Sequence, residues 1–251
     1  MTKQELFSSL KEKFEQILRE NHIENDKLSV SCRALTPEEV IGKTKRRDYP
    51  ILTGKDVMIQ AEYQGFRGQA FTDAPSTFEG MLEDVLSMDW EGNVHDRGIF
   101  IATVNAVMAS LGACKGTVHC RTEGPELCAQ DMLHYLEQNY PEVKRIALVG
   151  YQPSLLEMLA KSKYEVRVMD LNPNNIGQEK FGIVIEDGVE KMNEIRDNYA
   201  ELILCTGSTL CNGSIVDYLG VEQEVLFFGT SASGAAPLLG LKRVCFADRY
   251  E

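Results

Sequence analysis

Apolar positions near the start of the chain recur at the spacing of an amphipathic helix. One face of that helix would carry Leu6, Leu10, Phe14, Ile17 and Leu18. Thr2 and Glu5 precede the run at the spacing of a capping box, in which each side chain bonds the backbone N–H of the other residue. The pattern therefore predicts a helix that ends near Arg19.

Apolar and polar residues then alternate, which is the pattern of half-buried strands. Residues 28–34 alternate from Leu28 to Ala34, and residues 57–63 do so again. The segment "YQGFRGQAF" supplies glycines for a turn and a returning strand, so we expect a β-hairpin over residues 56–72. Helical spacing returns over residues 77–87 and 97–111, and the second helix would bury a stripe of Ile101, Val104, Met108 and Leu111.

From Lys144 onward the pattern changes to short, nearly continuous apolar runs separated by helical or loop segments. These runs are "RIALVG", "YEVRVMD", "GIVIE", "AELILCTG", "EVLFFG" and "KRVCFA". Such runs are typical of a parallel sheet covered by helices on both faces. With a boundary in "QNYPEVK", residues 138–144, we predict an α/β protein with an α+β domain over residues 1–140 and a parallel-sheet domain over residues 141–251.

Composition narrows the classes of partner. The formal net charge of −12 disfavours non-specific binding to nucleic acid or to anionic membranes, because both need a positive surface. The basic run at residues 43–47 is the exception, and we expect a solvated loop there rather than an anion site. No long apolar stretch or secretory signal is visible, and the seven cysteines are an odd number. A cytoplasmic protein with reduced thiols is the expectation.

In a doubly wound sheet, ligands bind beyond the carboxyl ends of the strands. That rule selects Gly150 and Tyr151 after the first strand, and Asp170 and Asn172 after the second. After the fourth and fifth strands it selects Thr206, Gly207, Ser208, Thr209, Asn212 and Ser231. Small polar residues with glycines can wrap an anion with backbone N–H groups, although they also form ordinary turns and helix caps. We expect ligand contact here.

Asp170 lies 20 residues after Gly150, the offset at which dinucleotide-binding folds place an acid on a ribose hydroxyl. The glycine-rich turn that cradles a pyrophosphate is missing, so NAD is not expected. S-adenosylmethionine tolerates a turn with fewer glycines and stays open. A cap or loop-forming role for Asp170 is the alternative.

The segment "GTVHCRTEGPELCAQ", residues 116–130, collects His119, Cys120 and Cys128 as candidate metal ligands. A structural zinc site usually shows closely spaced cysteine pairs, whereas these two cysteines are eight residues apart. Cys128 also falls on the apolar stripe of a helix predicted over residues 125–138, where it could serve only as a small hydrophobe. Of the other thiols, Cys205 and Cys245 are expected in strands of the core, and Cys211 is expected to pack rather than act as a nucleophile.

Several motifs follow one another along the chain, namely "RGQAFTD", "RGIFIATVNAVMASLG", "VHCRTEGPELCA", "VGYQPSLLEML", "VRVMDLNPNNIG", "LCTGSTLCNGSI" and "GTSASGAAPLL". Taken together, these motifs resemble a family of bacterial and archaeal proteins described as "putative heavy-metal chelation domain". The resemblance implies an N-terminal domain like that of enolases, a Rossmann-like C-terminal domain and a cleft between them. An enolase-like domain does not imply enolase chemistry.

Carried over to this chain, the resemblance adds Thr72, Asp73 and Asn105 to the strand-tip residues of the cleft. It also places His119, Cys120 and Cys128 in a motif that suits a soft metal. The function it implies is heavy-metal chelation or metal-cofactor metabolism, with a transition or heavy metal ion or a small anionic ligand bound in the interdomain cleft. The alternative is a small-molecule enzyme, a transferase or lyase that uses a nucleotide-like or S-adenosylmethionine-like ligand. A homo-oligomer stays open.

Overall fold

A computed structural model describes residues 1–23, 29–53 and 57–251. The helices are α1 (Lys3–Glu20), α2 (Pro37–Ile41), α3 (Leu82–Ser87), α4 (Val94–Ser110), α5 (Gly124–Asn139), α6 (Pro153–Ala160), α7 (Thr209–Asn212) and α8 (Ala235–Leu239). The strands are β1 (Ser29–Leu35), β2 (Val57–Tyr63), β3 (Phe66–Thr72), β4 (Phe78–Met81), β5 (Arg145–Val149), β6 (Glu165–Asp170), β7 (Glu179–Lys180), β8 (Ile183–Asp187), β9 (Leu202–Thr206) and β10 (Glu224–Phe228).

The first helix and the hairpin are confirmed. Thr2 and Glu5 form the capping box of α1. Strands β2 and β3 pair antiparallel from Val57 opposite Thr72 to Tyr63 opposite Phe66. Leu28, the first residue of the predicted β1 alternation, lies outside the described residues.

The helix predicted over residues 77–87 is wrong in its first half. Residues Phe78–Met81 form β4, which pairs with β1 and completes an antiparallel sheet of order β3-β2-β1-β4. Gly80 is a poor helix former in the middle of the predicted helix, whereas a strand tolerates it beside β1. The helix begins only at Leu82, where the Asp84 carboxylate accepts the N–H of Met81 at 2.8 Å.

The second sheet has the order β10-β9-β5-β6-β8-β7, with β7 antiparallel and the other strands parallel. The chain leaves β5 in one direction and returns to the other side of β5 with β9, so the topological switch point lies between these two strands. The α/β class is thereby confirmed. The predicted strand "KRVCFA" is wrong, because only Arg243 forms a β-bridge, with Phe227, before the chain turns into a short helix at Ala247–Arg249.

Helix α4 is buried on all sides rather than on one stripe, since every residue from Arg97 to Met108 is buried. Two glycines explain how it is enclosed. A Cβ on Gly68 of β3 would lie 2.3 Å from the backbone of Ala102, and a Cβ on Gly234 would lie 2.9 Å from the carbonyl oxygen of Val104. Backbone therefore approaches α4 directly from the antiparallel sheet and from the segment before α8.

Alternate residues of the parallel strands point into two cores. Ala147, Ile203 and Phe227 join a cluster with residues of α1 and α4, whereas Ile146, Leu204 and Leu226 join a cluster with α5 and α6. Helices that precede residue 141 thus cover both faces of the parallel sheet. The domain division at residue 140 stays a prediction. No helix in the described ranges is both long and apolar enough to cross a membrane.

Candidate functional site

A cavity of about 730 Å³ lies at the carboxyl ends of the parallel strands. The residues that follow β5, β6, β9 and β10 line it on one side, including Gly150, Asp170, Thr206 and Thr230. The other walls come from the end of β3, the segment around Tyr49, residues of the 119–132 region and the C-terminal segment around Cys245. This volume is in the range of a pocket for a small molecule.

The switch point at the cavity depends on one glycine. Gly150 follows β5 with a φ of +86°, and a Cβ there would lie 2.5 Å from Cγ2 of Thr206, which ends β9. Any side chain at this position would therefore meet both backbone strain and a clash. The absence of a Cβ lets the two strand ends close the floor of the cavity.

Most of the predicted site residues line this cavity together. They are Thr72, Asp73, His119, Cys120, Cys128, Gly150, Tyr151, Asp170, Asn172, Thr206, Ser208, Thr209, Asn212 and Ser231. Two of the predicted residues, Asn105 and Gly207, do not line it.

Asn105 is a structural residue rather than a wall of the cavity. Its side-chain amide donates to the carbonyl oxygens of Gln69 at 2.9 Å and of Thr230 and Ser231 at 3.1 Å each. Its Oδ1 accepts the N–H of Gly234 at 2.7 Å. Asn105 is 1% exposed, so these backbone groups take up the whole side chain. It fixes the loop after β10 to α4 and β3.

Gly207 is excluded from the cavity by its packing. Its N–H donates to the carbonyl oxygen of Phe228, and a Cβ at this position would lie 2.8 Å from the backbone nitrogen of Ala232. The glycine lets the loops after β9 and β10 touch, and its backbone faces the neighbouring loop instead of a ligand.

Asp170 organises the loop in which it lies. Its Oδ2 accepts the N–H of Tyr151 at 2.8 Å and its Oδ1 accepts the N–H of Asn172 at 2.7 Å. The side-chain amide of Asn175 adds a third bond at 3.2 Å. Oδ2 thus ties β6 to the turn after β5 and Oδ1 fixes the loop after β6, which leaves both oxygens less able to accept hydrogen bonds from ribose hydroxyls.

The small polar residues after β9 and β10 also bond mostly among themselves. The Thr209 hydroxyl donates to the carbonyl oxygen of Thr206 at 2.6 Å, and the Ser231 hydroxyl accepts the N–H of Phe71 at 2.9 Å. Thr230 is the exception. It is 2% exposed and lines the cavity, and its hydroxyl has no hydrogen-bond partner among the described residues. A buried hydroxyl without a partner is costly, and a ligand could satisfy it.

The charged residues of the described cavity wall are acidic. Asp73, Asp170 and Asp217 line the cavity together with His119, and no lysine or arginine is among its described lining residues. An anion would therefore meet like charges here rather than cationic partners. The charge of the wall favours a cation or a metal-containing ligand.

Three cysteines contribute to the cavity wall. The thiol of Cys128 on α5 interacts with the thiols of Cys120 and Cys245, and all three residues line the cavity. The interaction with Cys120 raises the pKa of Cys128 to about 12. The prediction that Cys245 lies in a core strand is wrong, because the chain has left the sheet at this point and runs against α5.

His119 stands next to this group of thiols. Its Nδ1 lies 2.7 Å from the carbonyl oxygen of Cys120, which can only accept, so Nδ1 carries the proton and Nε2 holds the lone pair. Its ring meets that of Phe71 edge to face at 6.0 Å. Burial lowers the pKa of His119 below its usual value of 6.5, which keeps the imidazole neutral.

The donor set defines which metal would fit. Within the described ranges, no group of three or more His, Cys, Asp or Glu side chains is arranged to hold a metal ion. The tetrahedral site that zinc needs is thus not formed by these residues. Neighbouring thiols are nevertheless soft donors, which suit ions such as Cu(I) that accept few ligands.

Cys211 packs against the core, as predicted, and also lines the cavity. Burial raises the pKa of its thiol to about 12, so the nucleophilic thiolate is scarce at neutral pH. Its carbonyl oxygen accepts a bond from Arg97 at 3.3 Å. The Arg97 guanidinium also donates to the carbonyl oxygens of Trp90 and Glu91. Its N–H groups therefore stabilise the fold by binding backbone carbonyls.

The segment around Tyr49 forms a wall that was not anticipated from the sequence. The Tyr49 hydroxyl donates to Glu126 at 2.9 Å and lies 2.6 Å from the Ser154 hydroxyl, which must then be the donor of that second bond. Arg46 pairs with Asp48 and Glu157 at 2.5 Å each. The basic run predicted to be a solvated loop therefore contains one arginine that anchors this segment to α6.

Comparison with known proteins finds a family model that matches part of the chain. Residues 134–242 match the model of the family described as "Putative heavy-metal chelation", DUF364. The predicted family resemblance is confirmed. No curated protein matches the sequence at a significant level.

Two solved structures from this family are similar to the chain. The first is a protein of unknown function from Pyrococcus horikoshii, with a TM-score of 0.53 and 18% sequence identity over 90% of this chain and 80% of that one. The second is a protein of unknown function from Desulfitobacterium hafniense, with a TM-score of 0.45 and 11% identity over 73% of this chain and 72% of that one. The first likeness supports the α/β fold.

Proposed function

We propose that this protein binds a heavy metal ion, or a small molecule that carries one, in the cavity at the strand ends. The observation that carries the proposal is the composition of the cavity wall, which joins neighbouring thiols to aspartates and has no lysine or arginine among its described lining residues. Thiolates select soft metals, and carboxylates favour positive charge. The family description of heavy-metal chelation points the same way.

The small anionic ligand expected from the polar loops is not retained in this proposal. The backbone N–H groups of Tyr151, Asn172 and Gly207 already donate to groups of the protein itself. An anion site needs free donors or cationic side chains. Of the two expected ligands, a metal ion and a small anion, the described residues of the cavity wall support the metal ion.

Metal content and thermal stability test the proposal. We expect protein purified anaerobically without a tag to contain a heavy metal, and a Cu(I)–glutathione or Ni(II)–histidine complex to raise the unfolding midpoint by mass action. Thr230→Val removes the unpartnered hydroxyl in the cavity wall and should reduce the shift. Absence of both copurified metal and any probe-induced shift would contradict the proposal.

Thr103→Val is the matched control for that experiment. Thr103 is fully buried and its hydroxyl also has no hydrogen-bond partner among the described residues, but it lies in α4 away from the cavity. Both substitutions remove a buried hydroxyl group. Only the one at Thr230 should change the response to the metal complexes.

An enzyme that uses a nucleotide-like or S-adenosylmethionine-like ligand is the second candidate. The switch point between β5 and β9 favours it, because such ligands bind there in doubly wound sheets. Asp170 would have to accept the ribose hydroxyls in addition to its three bonds within the protein. Adding S-adenosylmethionine and ATP to the thermal-shift screen separates the candidates, with Asp170→Asn as the variant that should abolish a shift caused by either.

A further inference from the structure

We infer that Cys128 is the central ligand of a two-coordinate site for a soft monovalent metal ion, with the second thiolate supplied by either Cys120 or Cys245. The inference deepens the proposed function, on which it rests for the cavity as the place of binding. It names the class of ion and the donor atoms, and it adds Cys245, which lies far from the other two in sequence.

Three separate parts of the chain bring these sulfur atoms together. Cys120 belongs to the extended segment before α5, Cys128 to the first turns of α5, and Cys245 to the loop after the β-bridge at Arg243. The Cys128 thiol interacts with both of the others. Convergence of a cysteine from the C-terminal loop on Cys120 and Cys128 is more than the burial of one small apolar side chain requires.

Hydrogen bonds and an ion pair attach the C-terminal segment, which contains Cys245, to α5 and to the segment before α5. The Arg121 N–H donates to the carbonyl oxygen of Tyr250 at 2.9 Å, and the Tyr250 hydroxyl donates to Asp131 on α5 at 2.8 Å. Arg249 pairs with the same carboxylate at 2.8 Å. These contacts hold the chain that follows Cys245 against α5 and against the segment before it.

Gly124 allows the segments of Cys120 and Tyr250 to pack closely against the start of α5. A Cβ at this position would lie 2.8 Å from the Cβ of Tyr250 and 3.1 Å from the Cβ of Cys120. The missing side chain lets the segment of Cys120 and the C-terminal segment both close onto the first turn of α5. Cys128 lies one turn further along α5, so the close packing at Gly124 also brings both segments near the Cys128 thiol.

Two-coordinate chemistry agrees with the donors that are present. No described group of three or more potential ligands is arranged to hold an ion, which disfavours a tetrahedral metal such as Zn(II). Ions with a filled d shell and one positive charge, such as Cu(I) and Ag(I), form stable complexes with two thiolates. A pair that includes Cys128 therefore suffices.

Binding exchanges protons for the metal without any change of oxidation state. Two S–H bonds break, two metal–sulfur bonds form, and both protons leave to solvent. The thiols lie beside the cavity rather than in a closed core, since all three residues line it. An ion thus has a path to them. The apparent affinity should rise with pH because the thiols must lose their protons.

Silver binding tests the inference directly. Ag(I) is redox-inert, so we would titrate it by calorimetry into the full-length protein under anaerobic conditions and follow proton release in two buffers. We expect one tight site with two protons released. Cys128→Ser should weaken it by more than about a hundredfold, because loss of an outer-shell partner alone already costs about 10- to 100-fold.

The other cysteines give the pattern that identifies Cys128 as the shared ligand. Cys120→Ser and Cys245→Ser should each weaken binding less than Cys128→Ser does, because the remaining thiol can serve, whereas the double variant should lose the site. Cys211→Ser is the matched control, since Cys211 lines the same cavity but is not among the three neighbouring thiols. It should bind Ag(I) as the wild type does.

Several outcomes would overturn the inference. They are tight Ag(I) binding by the Cys128→Ser variant, loss of the site in the Cys211→Ser variant, or stoichiometric Zn(II) binding that depends on Cys128. If a serine variant does not fold, as judged by circular dichroism, the corresponding alanine variant replaces it. The proposed function has its own test. It is contradicted when neither copurified metal nor a thermal shift with the metal complexes is found, independently of the result of the Ag(I) titration.

Discussion

Gly150 and Thr206 meet at the point where β5 and β9 diverge, and a Cβ on Gly150 would lie 2.5 Å from Cγ2 of Thr206. Gly150→Ala should therefore destabilise the protein by about 3 kcal/mol, the sum of left-handed backbone strain and a clash in a packed position. Denaturant unfolding followed by circular dichroism measures the change.

Gly177→Ala separates the two causes of that loss. Gly177 has a φ of +79°, similar to that of Gly150, but no atom of the described residues lies within 4 Å of its added Cβ. It should cost only the strain, about 1 to 2 kcal/mol. Equal losses for the two variants would show that the contact with Thr206 is unimportant.

Replacing Asn105 by Asp should destabilise the protein more than replacing it by Ala. An Asp would keep the bond to the Gly234 N–H but would turn a carboxylate oxygen toward the carbonyl oxygens of Gln69 and Thr230. Burying a charge against acceptors costs more than removing the polar group, so we expect about 3 kcal/mol or more for Asn105→Asp.

Asn139→Ala provides the comparison for Asn105, because Asn139 is exposed and its side-chain amide donates to the carbonyl oxygen of Tyr135. Its change should stay within about 0.5 kcal/mol, as is usual for surface positions. Urea unfolding of the three variants checks the order. A smaller loss for Asp than for Ala at position 105 would mean that the buried amide is not required as a donor.

Stability should fall as the pH is lowered through the region around pH 6 because of His119. Burial lowers the pKa of this residue in the folded state below its usual 6.5, so the unfolded state binds the proton first. Stability attributable to His119 is then full above pH 6.5 and is lost as the pH falls below that value, with a slope of at most about 1.4 kcal/mol per pH unit.

His119→Asn removes this titration while its side-chain amide can still donate to the carbonyl oxygen of Cys120. The variant should show a shallower dependence of the unfolding free energy between pH 5 and pH 7 than the wild type, in a window set by the usual histidine pKa of about 6.5. His134→Gln, at an exposed position on α5, should retain the wild-type slope. A parallel slope in the Asn variant would assign the effect to other groups.

Tyr49→Phe should cost about 1 to 2 kcal/mol, because Glu126 loses the donor of its Oε1 and its buried Oε2 has no hydrogen-bond partner among the described residues. Ser154→Ala removes the second contact of the same hydroxyl. If the three groups act as one network, the double variant should lose less than the sum of the single losses, by about 0.5 kcal/mol or more. Strict additivity in thermal or urea unfolding would argue against the network.

Local patterns were sufficient where a single segment determines its own structure. The Thr2–Glu5 capping box and the alternation in β2 and β3 predicted their elements because the decisive contacts lie within a few residues. The tips of the parallel strands followed from the rule for doubly wound sheets. Most of the predicted residues accordingly line one cavity.

Contacts between distant segments explain what the sequence could not predict. Phe78–Met81 became a strand because β1 was there to pair with it, and Cys245 joined Cys128 because the C-terminal segment docks on α5. Asn105 was predicted to contact a ligand, but its side chain bonds four backbone groups from distant segments instead. Nothing in the local sequence "KRVCFA" distinguishes a loop from a core strand.

Because α4 is buried on all sides, it couples the unfolding of the segments that pack on it. Strand β3 rests on one side of this helix through Gly68, and the segment before α8 rests on the other through Gly234. Neither sheet can separate without exposing apolar surface of the same helix to water. Unfolding should accordingly be a single concerted transition, and a fragment cut to residues 134–242, the span matched by the family, should be insoluble or molten because it lacks that shared helix.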